Sequence, residues 1–248
     1  MIAHSDRAAS NRVFWDSLPY ILPCKFCRTS LTSYYEQHPI PTKREEFPEW
    51  LYKIHNLVNQ KLRDQGQTLP PNPPFQAVEE RYTQLLEQGC SKTSFPGWDF
   101  VFSLADNHPD SSPSKPMPDT PKNPPTSLKE RNRYNLLTPK ERKQQLRRFW
   151  SALPDVLPFQ EWRELWNEHM PSLTKLTRNR RSALCSLWHI RCGLEKGLAQ
   201  ISQETFYGLC KQVANHRSGC SKSTRAKTCR KLVQSGGAKK TRKKTRST

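Results

Sequence analysis

The sequence predicts an all-α protein, on three observations. No segment has the run of β-branched and aromatic residues that is typical of a strand. Residues 50–62, WLYKIHNLVNQKL, place apolar side chains at the spacing of an amphipathic helix. Thr138 precedes Pro139 and Glu141, a combination that favours the start of a helix.

The same criteria place helices along most of the chain, five before a proline-rich segment and four after it. The predicted ranges are 9–20, 24–37, 45–64, 75–90 and 97–106, then 138–152, 159–168, 177–196 and 203–215. Pro23 directly precedes Cys24, so Cys24 is expected at a helix N-terminus. The unpaired backbone N–H groups and the helix dipole at such a position favour a thiolate.

Composition limits the size of the packed core and divides the charge unevenly. A chain of 248 residues can hold one large or two small domains, but only 34% of it is hydrophobic and 21 residues are proline. The net charge is +19, and residues 217–248 carry 12 Lys and Arg and no acidic residue. This basic tail is predicted to be disordered. It would contact polyanions such as nucleic acid in a salt-dependent way, or be solvated without a dedicated ligand.

The apolar runs, the first residues and the cysteine content of the chain together predict its cellular compartment. No stretch reaches the roughly 18–20 consecutive apolar residues that a transmembrane helix needs. The first residues lack the apolar core of a secretory signal. Eight cysteines without such a signal predict an intracellular protein that is not secreted, makes no membrane contact and uses its thiols as working groups.

An internal repeat organises the chain. Residues 12–28 and 147–163 agree at 8 of 17 positions, and LYKIHNLVNQKL (51–62) aligns with LWHIRCGLEKGL (187–198). The apolar framework is kept in the second copy, whereas its polar groups differ, so we expect a degenerate unit without a site. The predicted segments are a first unit at 1–106, a linker at 107–127, a second unit at 128–216 with 97–106 as an alternative first helix, and a tail at 217–248.

Cys24 and Cys27 form a C-x-x-C pair, for which several roles are open. Zinc would need a further C-x-x-C or an H-x3–5-H pair, and the sequence has neither, so no metal site is predicted. A thioredoxin-type site would need strands alternating with helices around the motif. An inert pair of buried thiols is the simplest alternative. Redox chemistry in a helical setting is the favoured interpretation.

A polar helical face accompanies the thiol pair. His55 and Asn59 are four residues apart and therefore share one face of the predicted helix, with Asn56 and Lys61 nearby. A redox-active disulfide beside a bound planar cofactor would need such a face. Taken alone, His55 would more simply be a core histidine with a satisfied hydrogen bond.

Together, LPCKFCR, WLYKIHNLVNQKL and PPFQAVEERY (73–82) resemble the FAD-linked sulfhydryl oxidases of the Erv/ALR type, over residues 14–82. The two-unit layout and the basic tail are similar to the branch of this family found in large DNA viruses. The resemblance implies a small helical bundle that holds FAD and oxidises protein thiols with O2, giving a disulfide and H2O2. In a virus, it also implies a location in the host cytoplasm or the virion.

The resemblance also implies roles for single residues. Cys24 would take electrons from the incoming dithiol, and Cys27 would attack the flavin. The cofactor contacts would come from one group of side chains, namely His55, Asn56, Asn59, Lys61 and Tyr82. The second unit would pair with the first as an intrachain pseudo-dimer with one active site, unless the protein forms an ordinary homodimer. A different class is open as well, a catalytically impaired structural or nucleic-acid-associated protein derived from such an oxidase.

Departures from the family pattern add three expectations. Only 13 residues precede Phe14, so the first unit is expected to lack the family's W-x-x-x-H helix, which Trp98 and Phe102 resemble with the histidine lost. Glu46 and Phe75 stand where cellular members have a structural disulfide. The candidates for a shuttle pair are few and weak, namely Cys220 with Cys229, or Cys90.

Overall fold

The computed structural model describes residues 2–87, 95, 97–110, 115–199 and 204–215. These residues form eleven α-helices and one short 3-10 turn at Arg44–Glu46, with no strand among them. The helices are α1 (Ile2–Ile21), α2 (Lys25–Gln37), α3 (Phe47–Asp64), α4 (Phe75–Glu87), α5 (Trp98–Asp106), α6 (Leu128–Arg133), α7 (Pro139–Val156), α8 (Gln160–His169), α9 (Leu173–Arg178), α10 (Arg180–Gly197) and α11 (Phe206–Asn215). The all-α prediction is confirmed.

Most helix boundaries lie close to the predicted ones. Cys24 is the residue before the first turn of α2, as its position after Pro23 predicted. Thr138 caps α7, since its side chain accepts from the Glu141 backbone while the Glu141 carboxylate accepts from the Thr138 backbone. Residues 88–90, 203 and the tail at 217–248 lie outside the described residues, and so do Cys90, Cys220 and Cys229.

Two predictions about helices were wrong. The range 177–196 is not one helix, because Asn179 is extended, with φ −163°, and separates α9 from α10. Its side chain caps α10 by accepting a hydrogen bond from the Ser182 backbone at 2.9 Å. Helix α6 lies beyond the proline-rich segment and was not predicted, since six residues carry too little periodicity to reveal a helix.

The main core lies where α1 packs against α7, with α5, α8, α9, α10 and α11 around them. Phe14 of α1 and Phe149 of α7 are equivalent positions of the repeat, and their ring centroids are 5.2 Å apart. Contact between a residue and its own equivalent is what a twofold relation between two like units produces. Trp150 and Trp166 are fully buried in this core.

A smaller apolar cluster supports α3. Ile40, Trp50 and Ile54 are its buried members, and the ring of Trp15 lies 5.5 Å from that of Trp50. The Trp50 indole donates a hydrogen bond to the His38 carbonyl at 2.9 Å, so the loop after α2 is tied to α3. This cluster fixes the angle between the helix that follows the thiol pair and the helix with the polar face.

Residues 115–136 pack against the first unit. Met117 is 9% exposed, and its backbone N–H donates to the Tyr134 carbonyl at 3.0 Å. The Asn132 side chain donates to the Pro19 carbonyl and to the Thr32 hydroxyl, at 3.0 and 2.9 Å. The segment that leads into the second unit therefore covers the junction of α1 and α2.

Helix α5 packs on α10 and α11. Trp98 of α5 stacks on Trp166 of α8, with ring centroids 5.9 Å apart and ring planes inclined by 13°. Within the described part of the chain, no helix has the length and apolar character needed to cross a bilayer.

Candidate redox site

The C-x-x-C pair sits at the start of α2. Cys24 precedes the helix and is 5% exposed, and Cys27 lies in the first turn and is half-buried. The Arg28 backbone N–H donates to the Cys24 carbonyl at 3.0 Å, which closes that first turn. The first backbone N–H groups of a helix have no partner within the helix, and its N-terminus favours negative charge.

Lys61 connects α3 to the thiol-bearing turn. Its Nζ donates to the Ser30 hydroxyl at 2.6 Å and to the Phe26 carbonyl at 3.4 Å, one residue before Cys27. Tyr34, one turn further along α2, donates to the Leu57 carbonyl at 3.3 Å. Lys61 thus contacts the helix that carries Cys27, through Ser30 and the Phe26 carbonyl, and its role as a cofactor contact stays a prediction.

Tyr34 completes this contact between α2 and α3. Burial raises the pKa of Tyr34 above its ordinary value, and the nearby acidic groups of Asp64 and Cys27 act in the same direction. Its hydroxyl therefore stays protonated and available as a donor. Sequence reasoning did not identify Tyr34 or Ser30, although both lie on the face of α2 that Cys27 begins.

His55 and Asn59 lie on one face of α3, as predicted. His55 is exposed, and its Nδ1 lies 2.9 Å from the Leu51 carbonyl, which can only accept a hydrogen bond from it. Asn59 is half-buried and donates to the Asn72 side chain at 2.9 Å. Val58 lies between them and is 40% exposed, so an apolar surface is flanked by two polar groups.

The loop before α4 returns along α3. Arg63 donates to the Asn72 side chain at 2.9 Å and to the Pro70 carbonyl at 2.7 Å. Tyr52 donates to the Pro73 carbonyl at 2.8 Å. Asn72 was not predicted as a site residue, and the only sequence signal for it is the turn-forming run PPNPP around it.

Two predicted site residues are less closely integrated. Asn56 is half-buried on α3, one position after His55. Tyr82 lies on α4 and is 63% exposed, and among the described residues no contact ties it to the other predicted site residues. Their roles as cofactor contacts stay predictions.

In the second copy, the positions of the thiols are filled by aromatic rings. Phe159 aligns with Cys24 and Trp162 with Cys27, and their ring centroids are 4.8 Å apart. Trp162 is 4% exposed, and the Phe95 ring lies 5.4 Å from it. No thiol chemistry is available at these positions.

The polar face of α3 is also replaced in the second copy. Arg191 aligns with His55 and forms ion pairs with Glu195 at 2.6 Å and Glu204 at 2.8 Å. Leu194 aligns with Val58 and is fully buried. The exposed Val58 of the first copy thus corresponds to a fully buried leucine in the second.

The described residues contain no group of three or more His, Cys, Asp and Glu side chains placed to hold a metal ion. Among the described residues, the C-x-x-C pair thus lies at a helix N-terminus next to a helix with an exposed His55.

Residues 3–82 match the model of the Erv1 / Alr family, and they include α1, α2, α3 and most of α4. The chain is also 28% identical over 92 residues to a probable FAD-linked sulfhydryl oxidase of Acanthamoeba polyphaga mimivirus. This match covers 36% of the chain and 59% of the viral relative. No solved structure matches the chain significantly. Residues 3–82 are therefore similar in sequence to the Erv1 / Alr family, and the chain spans about three fifths of the length of the viral relative it matches.

Proposed function

We propose that this chain is an FAD-dependent thiol oxidase that forms disulfides in protein substrates and reduces O2 to H2O2. The observation that carries the proposal is the contact between α2 and α3. Lys61 of α3 bonds to α2 beside Cys27, so α3 is held directly against the turn that carries the thiol pair. The family match over residues 3–82 and the name of the viral relative support the same activity.

The residues of the first unit fit a planar cofactor. Cys27 is half-buried and so partly accessible, and Val58 offers exposed apolar surface on the adjacent helix. His55 and Asn59 flank that surface with hydrogen-bonding groups, and Asn56, Lys61 and Tyr82 are further candidate contacts. FAD bound there would supply a two-electron acceptor that can be reoxidised by O2.

The two cysteines would divide the exchange chemistry between them. A substrate thiolate attacks the Cys24 sulfur, the Cys24–Cys27 bond breaks, and Cys27 leaves as a thiolate. The second substrate thiol then attacks the mixed disulfide, releasing Cys24 and giving the substrate disulfide, with two electrons now held by the cysteine pair. Because Cys24 is 5% exposed, we expect the substrate thiols to lie on extended or flexible segments that can reach it.

We further propose that the second unit is a degenerate copy that pairs with the first as an intrachain pseudo-dimer with one active site. The contact between the equivalent residues Phe14 and Phe149 supports this arrangement. So does a shared backbone feature, since Arg28 bonds to the carbonyls of residues 22 and 23, and Arg163 bonds to those of residues 157 and 158. The aromatic rings at 159 and 162 favour one FAD per chain.

The first experiment is the visible spectrum of the purified full-length chain, before and after dithiothreitol is added in air. A flavin band that bleaches and recovers while peroxide accumulates is the expected result. Cys27→Ser should abolish peroxide production without loss of bound FAD, and Cys185→Ser, at an exposed cysteine of the second unit, is the matched control and should keep it.

Other outcomes would reject parts of the proposal. A chain that stays colourless after refolding with FAD would favour the structural or nucleic-acid-associated alternative. Two FAD per chain would contradict the single-site pseudo-dimer. Peroxide production by Cys27→Ser at the rate of the unmodified chain would contradict the role of the thiol pair.

A further inference from the structure

The Arg28 side chain, directly after the thiol pair, is a buried charge. It is 2% exposed, and its Nη1 donates to the Leu22 carbonyl at 2.6 Å and to the Pro23 carbonyl at 3.2 Å. Its Nη2 donates to the Asn135 side-chain oxygen at 2.6 Å. A buried guanidinium is tolerated only when its donors are satisfied, and here backbone and amide oxygens satisfy them.

The repeat separates what is common in this arrangement from what is particular to the first copy. Arg163 donates to the Leu157 and Pro158 carbonyls at 2.7 and 3.2 Å, the same bonds at equivalent positions. Arg163, however, is only half-buried. In both copies the arginine therefore bonds to the two carbonyls before the helix. Only in the copy with cysteines is the arginine fully buried and bonded to Asn135.

Asn135 is itself held firmly in place. It is 7% exposed, adopts the left-handed conformation with φ 57°, and donates through Nδ2 to the Lys115 carbonyl at 2.7 Å. Asn tolerates this conformation better than most residues, because its short side chain bonds to nearby backbone. The Thr29 hydroxyl donates to the Arg133 carbonyl at 2.6 Å, a further bond between α2 and this segment. The segment that leads into the second unit thereby buries Arg28 against the first turn of α2.

A sealed cation at this position acts differently on the two redox states of the pair. The guanidinium bonds to the carbonyls of the two residues directly before Cys24, so its charge lies beside the backbone that leads into the thiol pair. The reduced pair carries a thiolate, which a nearby cation stabilises, whereas the disulfide is neutral. Exclusion of water strengthens the effect, because the charge is poorly screened in a low-dielectric environment.

We propose that Arg28, held by Asn135, is a positioning residue that raises the reduction potential of the Cys24–Cys27 disulfide. The pair therefore accepts two electrons from substrate dithiols more readily than an unassisted C-x-x-C pair at a helix N-terminus. The functional meaning rests on the proposed oxidase activity, but the effect on the disulfide does not. The second unit then contributes to the active site, since the segment that leads into it supplies Asn135.

The test is the equilibrium of the Cys24–Cys27 disulfide with dithiothreitol buffers under nitrogen, in the full-length chain. Thiols are quenched by alkylation, and the state of the pair is read by peptide mass spectrometry. We expect Arg28→Gln to lower the equilibrium constant for reduction about tenfold, which corresponds to about 30 mV. Arg28→Lys should recover most of this loss, because it keeps the charge while losing the forked geometry.

Two further variants keep the test decisive. Asn135→Ala leaves the guanidinium in place without its amide partner and is expected to lower the equilibrium constant for reduction by a few-fold. This variant provides a readout that does not depend on the folding of Arg28→Gln. Arg163→Gln removes the same backbone bonds in the second copy, is the matched control, and should leave the constant unchanged. An equal change in Arg28→Gln and Arg163→Gln, or no change in Arg28→Gln and Asn135→Ala, would overturn the proposal. The equilibrium needs neither flavin nor O2, so failure of the oxidase assay would not produce either result.

Discussion

The contact between Phe14 and Phe149 offers a quantitative test of how the two units are joined. Phe149 is fully buried, so Phe149→Ala is expected to lower the free energy of unfolding by about 3–5 kcal/mol, the usual cost of removing a buried ring. Phe14 is half-buried, and Phe14→Ala should cost about 1–2 kcal/mol, in proportion to the smaller apolar area lost. The ring centroids are 5.2 Å apart, with planes inclined by 30°, a distance at which aromatic pairs interact directly.

The double variant measures that interaction. If the two rings contact each other, the costs of the single changes should not add, and the coupling energy should be about 0.5–1.5 kcal/mol. The assay is guanidinium unfolding followed by tryptophan fluorescence, under conditions that keep the redox state of the cysteines constant. Phe14→Ala combined with Tyr207→Ala, a 78% exposed ring on α11, is the additive control. Additivity of Phe14 and Phe149 within about 0.3 kcal/mol would refute the reasoning.

Three further expectations concern stability alone. Burial lowers the pKa of His108 below its ordinary value of 6.5. As the pH drops below about 6.5, the unfolded chain therefore binds a proton before the folded chain does, and the free energy of unfolding should fall. Urea titrations at pH 7.5 and 5.5 should show a smaller difference for His108→Gln than for the unmodified chain. Asn179→Ala should lower the free energy of unfolding by about 1 kcal/mol, because α10 loses its cap, whereas Asn179→Asp should keep most of that stability. Equal losses of stability for the two variants in thermal melts would contradict the capping role. Partial burial raises the pKa of Glu141, but hydrogen bonds from Thr138 and Arg131 outweigh it and lower that pKa overall. The ionised Glu141 carboxylate therefore stabilises the folded chain at neutral pH, and this stabilisation is lost as the pH falls through the lowered pKa. Glu141→Gln should therefore destabilise the chain by about 0.5–1 kcal/mol at pH 7 and by less in acid, and a cost that does not change with pH would count against this account.

The helical class and most helices could be predicted because they depend on local signals. Pro23 marks the start of α2, and the Thr138 capping box marks the start of α7. Asn179 was missed as a helix boundary because the polar run around it has no Gly or Pro to mark an interruption. Helix α6 was missed because the Asn132 bonds that support it reach residues 100 and 113 positions away.

The candidate site shows the same limit. Lys61 was predicted as a cofactor contact beside His55 and Asn59, and its bond to Ser30 shows instead that it faces α2; its cofactor role stays a prediction. Arg28 was noticed only as a repeat match, because its burial depends on Asn135, 107 residues further along the chain. A charge that is buried by a distant segment leaves no periodic signal, so its chemistry becomes visible only in three dimensions.

The proposed second copy without a site would have a structural role that accounts for its retention. The separate apolar cluster of the first unit contains only three buried residues, Ile40, Trp50 and Ile54. Leu18 and Ile21 of α1 are instead buried in the large cluster that the second unit provides. The second unit therefore supplies most of the apolar surface on which the thiol-bearing unit folds. Selection on that surface would preserve the framework residues of the second copy. The positions equivalent to the thiols and to the α3 polar face would be free to change, as they have to an aromatic ring at Trp162 and an ion pair at Arg191.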